Sequence, residues 1–147
     1  MDEDVQAAAA RLVRRLKEGG HTITVAESCT GGLLASAFTD IAGASQWFNQ
    51  SWVTYSNEAK VTELGVSADL LEKKGAVSAG VAMAMAQGAV KRANASIAIS
   101  ITGIAGPSND GTNKKVGMVY VGIASSTNWA NAESTQIGGN RAENKIA

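Results

Sequence analysis

A junction at residues 22–41 constrains the fold of this chain more than any other stretch. Ile23 and Val25 alternate as in a strand, and the segment then changes to small polar residues and glycines. The next apolar residues recur every three or four positions, as in an amphipathic helix: Leu33, Leu34, Ala37, Phe38 and Ile41. The pattern predicts a strand, a tight turn and a helix, which is a unit of α/β sheets.

The turn in this junction places Ser28, Cys29 and Thr30 at the start of the predicted helix. First-turn N–H groups lack partners, the helix dipole is positive there, and Gly31 and Gly32 let a ligand approach the backbone. Such a turn suits an anion or an oxyanion. The simpler alternative is that Ser28 or Thr30 only caps the helix.

Length and charge exclude several classes of protein. The chain has 147 residues, 45% of them hydrophobic, so we expect residues 1–147 to form a single domain. Lys plus Arg equals Asp plus Glu at 13 each, which gives no overall attraction to nucleic acid or to an anionic membrane. No apolar run approaches the ~20 residues of a membrane span, and the acidic start is unlike a signal peptide. These features predict a cytoplasmic protein.

Turn and cap signals divide the remainder of the chain into further elements. Helices are predicted over 5–16, after Ser56, Ser67 and Ser78, and again from 138–141, and strands over 47–55, 96–102, 116–124 and 129–137. The strand at 96–102 is nearly continuously apolar, so it belongs at the centre of a sheet covered on both faces. The sum predicts an α/β fold, a three-layer α/β/α domain with a mixed, mostly parallel sheet of about five strands. The polar segment 108–115 is predicted to be a mobile lid.

Three segments are expected at the carboxyl edge of the parallel strands, where such sheets bind ligands. They are the turn at Ser28, residues 55–60 and residues 102–107. Lys60 falls in the first turn of a helix, whose positive end should lower the lysine pKa toward that of a general base. Tyr55 lies at the preceding strand end. The alternative is that Lys60 is a solvated surface charge and Tyr55 a core ring.

Four motifs carry a resemblance that covers nearly the whole chain up to Arg141. They are Ala-Glu-Ser-Cys-Thr-Gly-Gly at 26–32, Val-Thr-Tyr-Ser-Asn-Glu-Ala-Lys at 53–60, Gly-Ala-Val-Ser at 75–78 and Thr-Gly-Ile-Ala-Gly-Pro at 102–107. In this order they resemble the CinA C-terminal domain family, the nicotinamide-nucleotide amidases. The resemblance implies an α/β/α homo-oligomer that hydrolyses nicotinamide mononucleotide to nicotinate mononucleotide and ammonia without a metal or other cofactor. The catalytic set that it implies is Ser28, Tyr55 and Lys60.

These expectations combine into a mechanism that proceeds through an acyl-enzyme. Ser28 attacks the carboxamide carbon, and Lys60 takes its proton with Tyr55 in the hydrogen-bond chain. Turn N–H groups stabilise the oxyanion, and Arg141 is a candidate for the phosphate. The expected substrate-binding residues are Cys29, Thr30, Gly31, Gly32, Thr102, Gly103, Gly106 and Arg141. An alternative from another class is a catalytically inactive nucleotide-binding module with the same pocket.

The metal content follows from the scarcity of soft ligands, since the sequence has one cysteine and one histidine, Cys29 and His21. They are too few for a thiolate or imidazole metal site, and Glu27 is expected only to hydrogen-bond the turn. We therefore predict that amide hydrolysis survives prolonged chelation, measured as ammonia release before and after treatment with a chelator. A loss that a divalent cation restores would contradict the metal-free mechanism.

Overall fold

The order of helices and strands matches the predicted order. The computed structural model describes residues 3–104 and 118–136. The helices are α1 (Glu3–Gly19), α2 (Leu33–Thr39), α3 (Asn57–Leu64), α4 (Ala68–Lys74) and α5 (Ala79–Ala93). The strands are β1 (Ile23–Glu27), β2 (Phe48–Val53), β3 (Ile97–Gly103), β4 (Met118–Ser125) and β5 (Ala130–Gln136), with a 3-10 helix at Ala44–Gln46 before β2. The predicted lid at 108–115 and the predicted helix from 138 lie outside the described residues.

The five strands form one mixed sheet in the order β2-β1-β3-β4-β5. β1 pairs in parallel with β2 and β3, whereas β4 is antiparallel to both β3 and β5. The predicted α/β class and the mixed five-stranded sheet are confirmed. Four strands run in the same direction, although two of the four pairings are antiparallel, because β4 alone is reversed.

Helices cover both faces of this sheet, which confirms the predicted three layers. On one face α1 and α2 form a cluster with β1 that includes Val13, Phe38 and Val25. On the other face α5 packs on the sheet through residues such as Met85, against the side of β1 that carries Ala26. The two faces alternate along β1 because successive strand side chains point in opposite directions. No helix within the described ranges has the length and apolar character needed to cross a membrane.

Serine caps define where the helices on the α5 face begin. Ser56, Ser67 and Ser78 each accept a hydrogen bond from the main-chain N–H three residues later, at 3.0, 3.2 and 3.3 Å. A serine hydroxyl in this position satisfies one of the unpaired first-turn donors. The three caps predicted from the sequence are therefore confirmed, and the first of them fixes the start of α3.

A close approach between two helices fixes the end of α3. A Cβ atom on Gly88 of α5 would lie 1.9 Å from the main-chain oxygen of Leu64, the last residue of α3. The neighbouring atom belongs to the backbone, so a side chain at position 88 would force the two helices apart. The contact therefore requires a glycine and brings the end of α3 close against α5.

The close approach leads to a prediction about stability. Gly88→Ala should lower the free energy of unfolding by about 1–3 kcal/mol, the usual range for overpacking, as measured by urea denaturation. Gly80→Ala in the same helix is the matched control, since its Cβ would meet only the flexible Leu70 Cδ1, at 3.3 Å. We expect the control to lie within about 1 kcal/mol of wild type. Equal losses from the two variants would contradict the packing argument.

Candidate active site

The end of β1 presents two buried side chains to opposite faces of the sheet. Ser28 follows Glu27, and its main-chain N–H donates to the Ile101 carbonyl oxygen at 2.9 Å, which continues the pairing with β3. The Glu27 carboxylate faces α2. The Ser28 hydroxyl faces α3, where its Oγ lies 2.9 Å from Lys60 Nζ. Strand alternation therefore separates the Glu27 carboxylate from the Ser28 hydroxyl and the Lys60 amine.

Lys60 is a buried amino group held by several acceptors. Its side chain is 1% exposed, so the alternative of a solvated surface charge is wrong. Besides Ser28 Oγ, its Nζ donates to the main-chain oxygens of Thr54 at 2.7 Å, Tyr55 at 3.3 Å and Ser56 at 3.5 Å. The turn from β2 into α3 thus places main-chain acceptors around the amino group.

Burial changes the protonation of Lys60. Loss of hydration disfavours the ammonium form and lowers the pKa of Lys60 from 10.5 to about 8, while the nearby Cys29 acts in the opposite direction. The predicted direction of the shift is confirmed, but its main cause is burial and not the helix dipole. At neutral pH about a tenth of the molecules therefore carry the neutral amine, the form that can accept a proton.

The acceptors around the neutral amine determine where its lone pair points. A neutral lysine keeps two N–H donors and one lone pair. The carbonyl oxygens of Thr54 and Tyr55 can only accept, and at 2.7 and 3.3 Å they lie nearer than that of Ser56 at 3.5 Å, so they are the acceptors for the two N–H groups. The lone pair is left for the hydroxyl proton of Ser28. This is the arrangement of a nucleophile and its base.

The two remaining reactive side chains near this pair differ in position. Tyr55 contacts Lys60 through its main-chain oxygen, and its ring is 60% exposed at the rim of the site. Its place in a catalytic hydrogen-bond chain stays a prediction. Cys29 is buried, and its thiol lies near enough to Lys60 to influence the lysine pKa. The thiol is thus the competing nucleophile that experiments have to separate from Ser28.

The start of α2 differs from the expected open anion site. Its N-cap is Gly32 in the left-handed conformation, with φ 109° and no side-chain cap, so neither Ser28 nor Thr30 caps this helix. The Glu27 carboxylate instead accepts the main-chain N–H groups of the second and third helical residues, at 2.8 and 2.9 Å. The expected hydrogen bonding of the turn by Glu27 is confirmed. The two N–H groups that Glu27 binds are therefore not open to a substrate anion, which leaves the turn before α2 as the candidate oxyanion site.

The third predicted segment reaches the same edge through the end of β3. Thr102 lies beside Ser28 in the strand register, and its buried hydroxyl donates to the Ala76 carbonyl oxygen at 3.0 Å. Gly103 follows, with the main-chain oxygen of Met118 2.7 Å from the position a Cβ would take. The structure thus brings all three predicted segments together. Their contacts with substrate stay predictions, and Gly106 and Arg141 lie outside the described residues.

Sequence reasoning missed two parts of the site. The carbonyl oxygen of Thr54 accepts the shortest hydrogen bond of Lys60, and main-chain acceptors leave no mark in a sequence. The Thr30 hydroxyl, expected at the substrate, donates to Glu27 Oε1 at 2.6 Å. The three-residue spacing of an acidic and a hydroxyl side chain was the available signal for that bond. In the part of the chain that the structure describes, no group of three or more His, Cys, Asp or Glu could hold a metal ion.

Comparisons with known proteins agree on one family. The family described as the CinA C-terminal domain matches residues 5–147. Nicotinamide-nucleotide amidohydrolase PncC of Escherichia coli (strain K12) is 47% identical over 123 residues, which cover 84% of this chain and 74% of that protein. The CinA-like protein of Geotalea daltonii is 48% identical over 122 residues, or 83% of this chain. The chain spans only 30% of the length of that longer relative.

A solved structure gives the same result for the fold. The crystal structure of competence/damage inducible protein CihA from Agrobacterium tumefaciens superposes with a TM-score of 0.94 at 37% identity. The match covers 99% of this chain and 89% of the other. The α/β/α arrangement described above is therefore shared over nearly the whole chain.

The lowered pKa of Lys60 predicts how the reactivity of Ser28 depends on pH. Labelling of Ser28 by an uncharged fluorophosphonate should accelerate about tenfold per pH unit below about 8 and level off above it, because only the neutral amine accepts the proton. Intact-protein mass spectrometry gives the rate, and Ser28→Ala shows background labelling.

Lys60→Arg is the informative variant for this prediction. It keeps the positive charge, but a guanidinium group does not deprotonate at accessible pH. The labelling rate should therefore fall by at least ~100-fold and lose its dependence on pH near 8. A Lys60→Arg protein that reacts as fast as wild type would overturn the role of Lys60 as a base.

Proposed function

This chain belongs to the CinA C-terminal domain family, and we propose that it hydrolyses the carboxamide of nicotinamide mononucleotide to nicotinate mononucleotide and ammonia. The observation that carries the proposal is the 2.9 Å contact between Ser28 Oγ and the buried Nζ of Lys60. A serine beside a lysine whose pKa is lowered to about 8 is suited to attack an amide carbon. The printed name of the 47% identical Escherichia coli relative supports the same class of substrate.

Acylation is the first half of the proposed reaction. Ser28 Oγ forms a bond to the carboxamide carbon while its proton moves to the neutral amine of Lys60. The carbonyl oxygen becomes a tetrahedral oxyanion. Lys60 then gives the proton to the amide nitrogen, and the C–N bond breaks. Ammonia is released, and the acyl group remains bound to Ser28 as an ester.

Deacylation repeats these steps with water. Lys60, again neutral, takes a proton from a water molecule that attacks the ester carbon. The ester bond breaks, Ser28 regains its proton from Lys60, and the carboxylic acid is released. This route needs no metal ion, because Ser28 supplies the nucleophile and Lys60 accepts and returns the proton.

The surrounding groups bind the substrate and stabilise charge in this proposal. Main-chain N–H groups of the turn stabilise the oxyanion, an interaction for which removal of one donor costs about 3–4 kcal/mol. Tyr55, whose main-chain oxygen contacts Lys60 and whose side chain is exposed, is assigned to the catalytic hydrogen-bond chain. The groups that the sequence predicts to contact the nucleotide are Cys29, Thr30, Gly31, Gly32, Thr102, Gly103, Gly106 and, for the phosphate, Arg141.

Three coarser properties complete the proposal. We expect a single amidase domain and a cytoplasmic location, as the length and composition predict, and a homo-oligomer, as the family resemblance implies. Sedimentation of the purified chain measures the oligomeric state directly, and fractionation of expressing cells measures the location.

The proposed function predicts different losses of activity when each of the two candidate nucleophiles is replaced by alanine. Ser28→Ala should abolish ammonia release from nicotinamide mononucleotide and leave its binding nearly intact, because one small hydroxyl is lost. Cys29→Ala should retain most of the turnover, since only the main-chain N–H of Cys29 has a role. Ammonia release and calorimetric binding are measured for both variants over a panel of nucleotide and non-nucleotide amides.

Two results would decide against the proposal. Turnover that persists in Ser28→Ala and disappears in Cys29→Ala would assign the nucleophile to the thiol. Tight binding of the mononucleotide by the wild-type protein without ammonia release would favour the nucleotide-binding module instead.

A further inference from the structure

Among the described residues, the Glu27 carboxylate is buried and accepts its hydrogen bonds from the segment that follows Ser28. It is fully buried, and it accepts the Thr30 hydroxyl at 2.6 Å as well as the N–H groups of Leu34 and Ala35. A buried carboxylate is stable only when its lone pairs are occupied in this way. The three bonds therefore tie the last residue of β1 to the first turn of α2.

Ser28 lies between the two ends of this connection. Its N–H is fixed by the Ile101 carbonyl oxygen at 2.9 Å, and its own carbonyl oxygen accepts the N–H of Gly31 at 3.2 Å. The Thr30 hydroxyl, two residues after Ser28, reaches back to the residue just before it. Main-chain hydrogen bonds to Ile101 and Gly31 therefore hold Ser28 itself, and the bond between Glu27 and Thr30 joins the residues on its two sides.

We propose that Glu27 and Thr30 are positioning residues that hold Ser28 Oγ in line with Lys60 Nζ, so that Thr30 acts through the turn and not by touching the substrate. The inference rests on the proposed function only in taking Ser28 as the nucleophile. It gives Thr30 a different role from the substrate contact expected from the sequence.

The position of Ser28 has to be held closely for the pair to work. A displacement of about 1 Å between reacting groups can reduce a rate by about 100-fold. Because residues 27 and 28 point to opposite sides of one strand, a rotation that released Glu27 would also move the Ser28 hydroxyl. A change at Glu27 or Thr30 should leave the pKa of Lys60 unchanged, because burial and Cys29 set that pKa. Loss of the Glu27–Thr30 bond should therefore slow the reaction of Ser28 without moving the pH midpoint of that reaction.

Two Thr→Val substitutions on the same segment provide a matched test. Thr30→Val removes the bond to Glu27. Thr24→Val removes an equally short bond at the other end of β1, where the buried Thr24 hydroxyl donates to the Gln50 carbonyl oxygen at 2.6 Å. Both variants lose one buried hydroxyl and some thermal stability, but only the first loosens the turn that carries Ser28.

The readout is the rate at which the fluorophosphonate labels Ser28, measured across pH on folded protein. We expect Thr30→Val to slow labelling by at least about tenfold with an unchanged pH midpoint, and Thr24→Val to stay within about twofold of wild type. Thr30→Ser keeps a hydroxyl and should recover most of the lost rate. If Thr30→Val does not fold, Glu27→Gln, which keeps the shape but lacks one acceptor oxygen, should show the same slow labelling.

Several results would overturn the inference. Labelling of Thr30→Val at the wild-type rate, equal slowing in Thr24→Val, or no recovery in Thr30→Ser would each do so. A higher KM for nicotinamide mononucleotide in Thr30→Val with unchanged labelling would return Thr30 to the role of a substrate contact. The labelling reaction uses no nucleotide, so it reports on positioning even if the proposed substrate is wrong.

Discussion

The rest of the site depends on one physical constraint, the burial of the Lys60 amino group. The shift of its pKa from 10.5 to about 8 corresponds to a penalty of about 3 kcal/mol on the ammonium form. Between pH 8 and 10.5 the unfolded chain binds a proton at this lysine that the folded chain does not, so folding stability rises with pH in that window. Below pH 8 the fold carries the whole penalty. The protein thus keeps a group that destabilises the fold at the position proposed for the proton acceptor, where the carbonyl oxygens of Thr54 and Tyr55 accept its hydrogen bonds.

The alternation of one strand keeps the charges of the site apart. Glu27 and Ser28 are consecutive, yet the carboxylate faces α2 and the hydroxyl faces Lys60 on α3. A carboxylate beside Lys60 would stabilise its ammonium form and raise its pKa toward or above 10.5. On the α2 side the same carboxylate completes the hydrogen bonding of a helix start. Because Glu27 and Ser28 point to opposite faces, one short segment supports both a lysine with a lowered pKa and a well-held turn.

Sequence patterns predicted most of the fold, because spacing and caps are local properties. The sequence alone predicts the alternation in β1, the serine caps at Ser56 and Ser78, and the placement of Lys60 in the first turn of α3. The carboxylate that completes the start of α2 was not predicted as a cap, because it comes from a strand and depends on how strand and helix pack. The main-chain acceptor at Thr54 is likewise invisible in a sequence. Burial was underrated as the cause of the Lys60 pKa shift for the same reason, since burial is set by distant segments.

One such distant segment connects packing to chemistry. Lys60 and Leu64 are four residues apart on α3, so they share its inward face, and each is 1% exposed. Leu64 can reach its depth because α5 presents Gly88 at the point where the two backbones meet. Any side chain there would lift the end of α3 and, one turn earlier, the amino group of Lys60. Water admitted around that amino group would restore the hydration of its ammonium form and raise the pKa again. The absence of a methyl group on α5 thus helps to keep Lys60 buried and its pKa low, as its proposed role as a base requires.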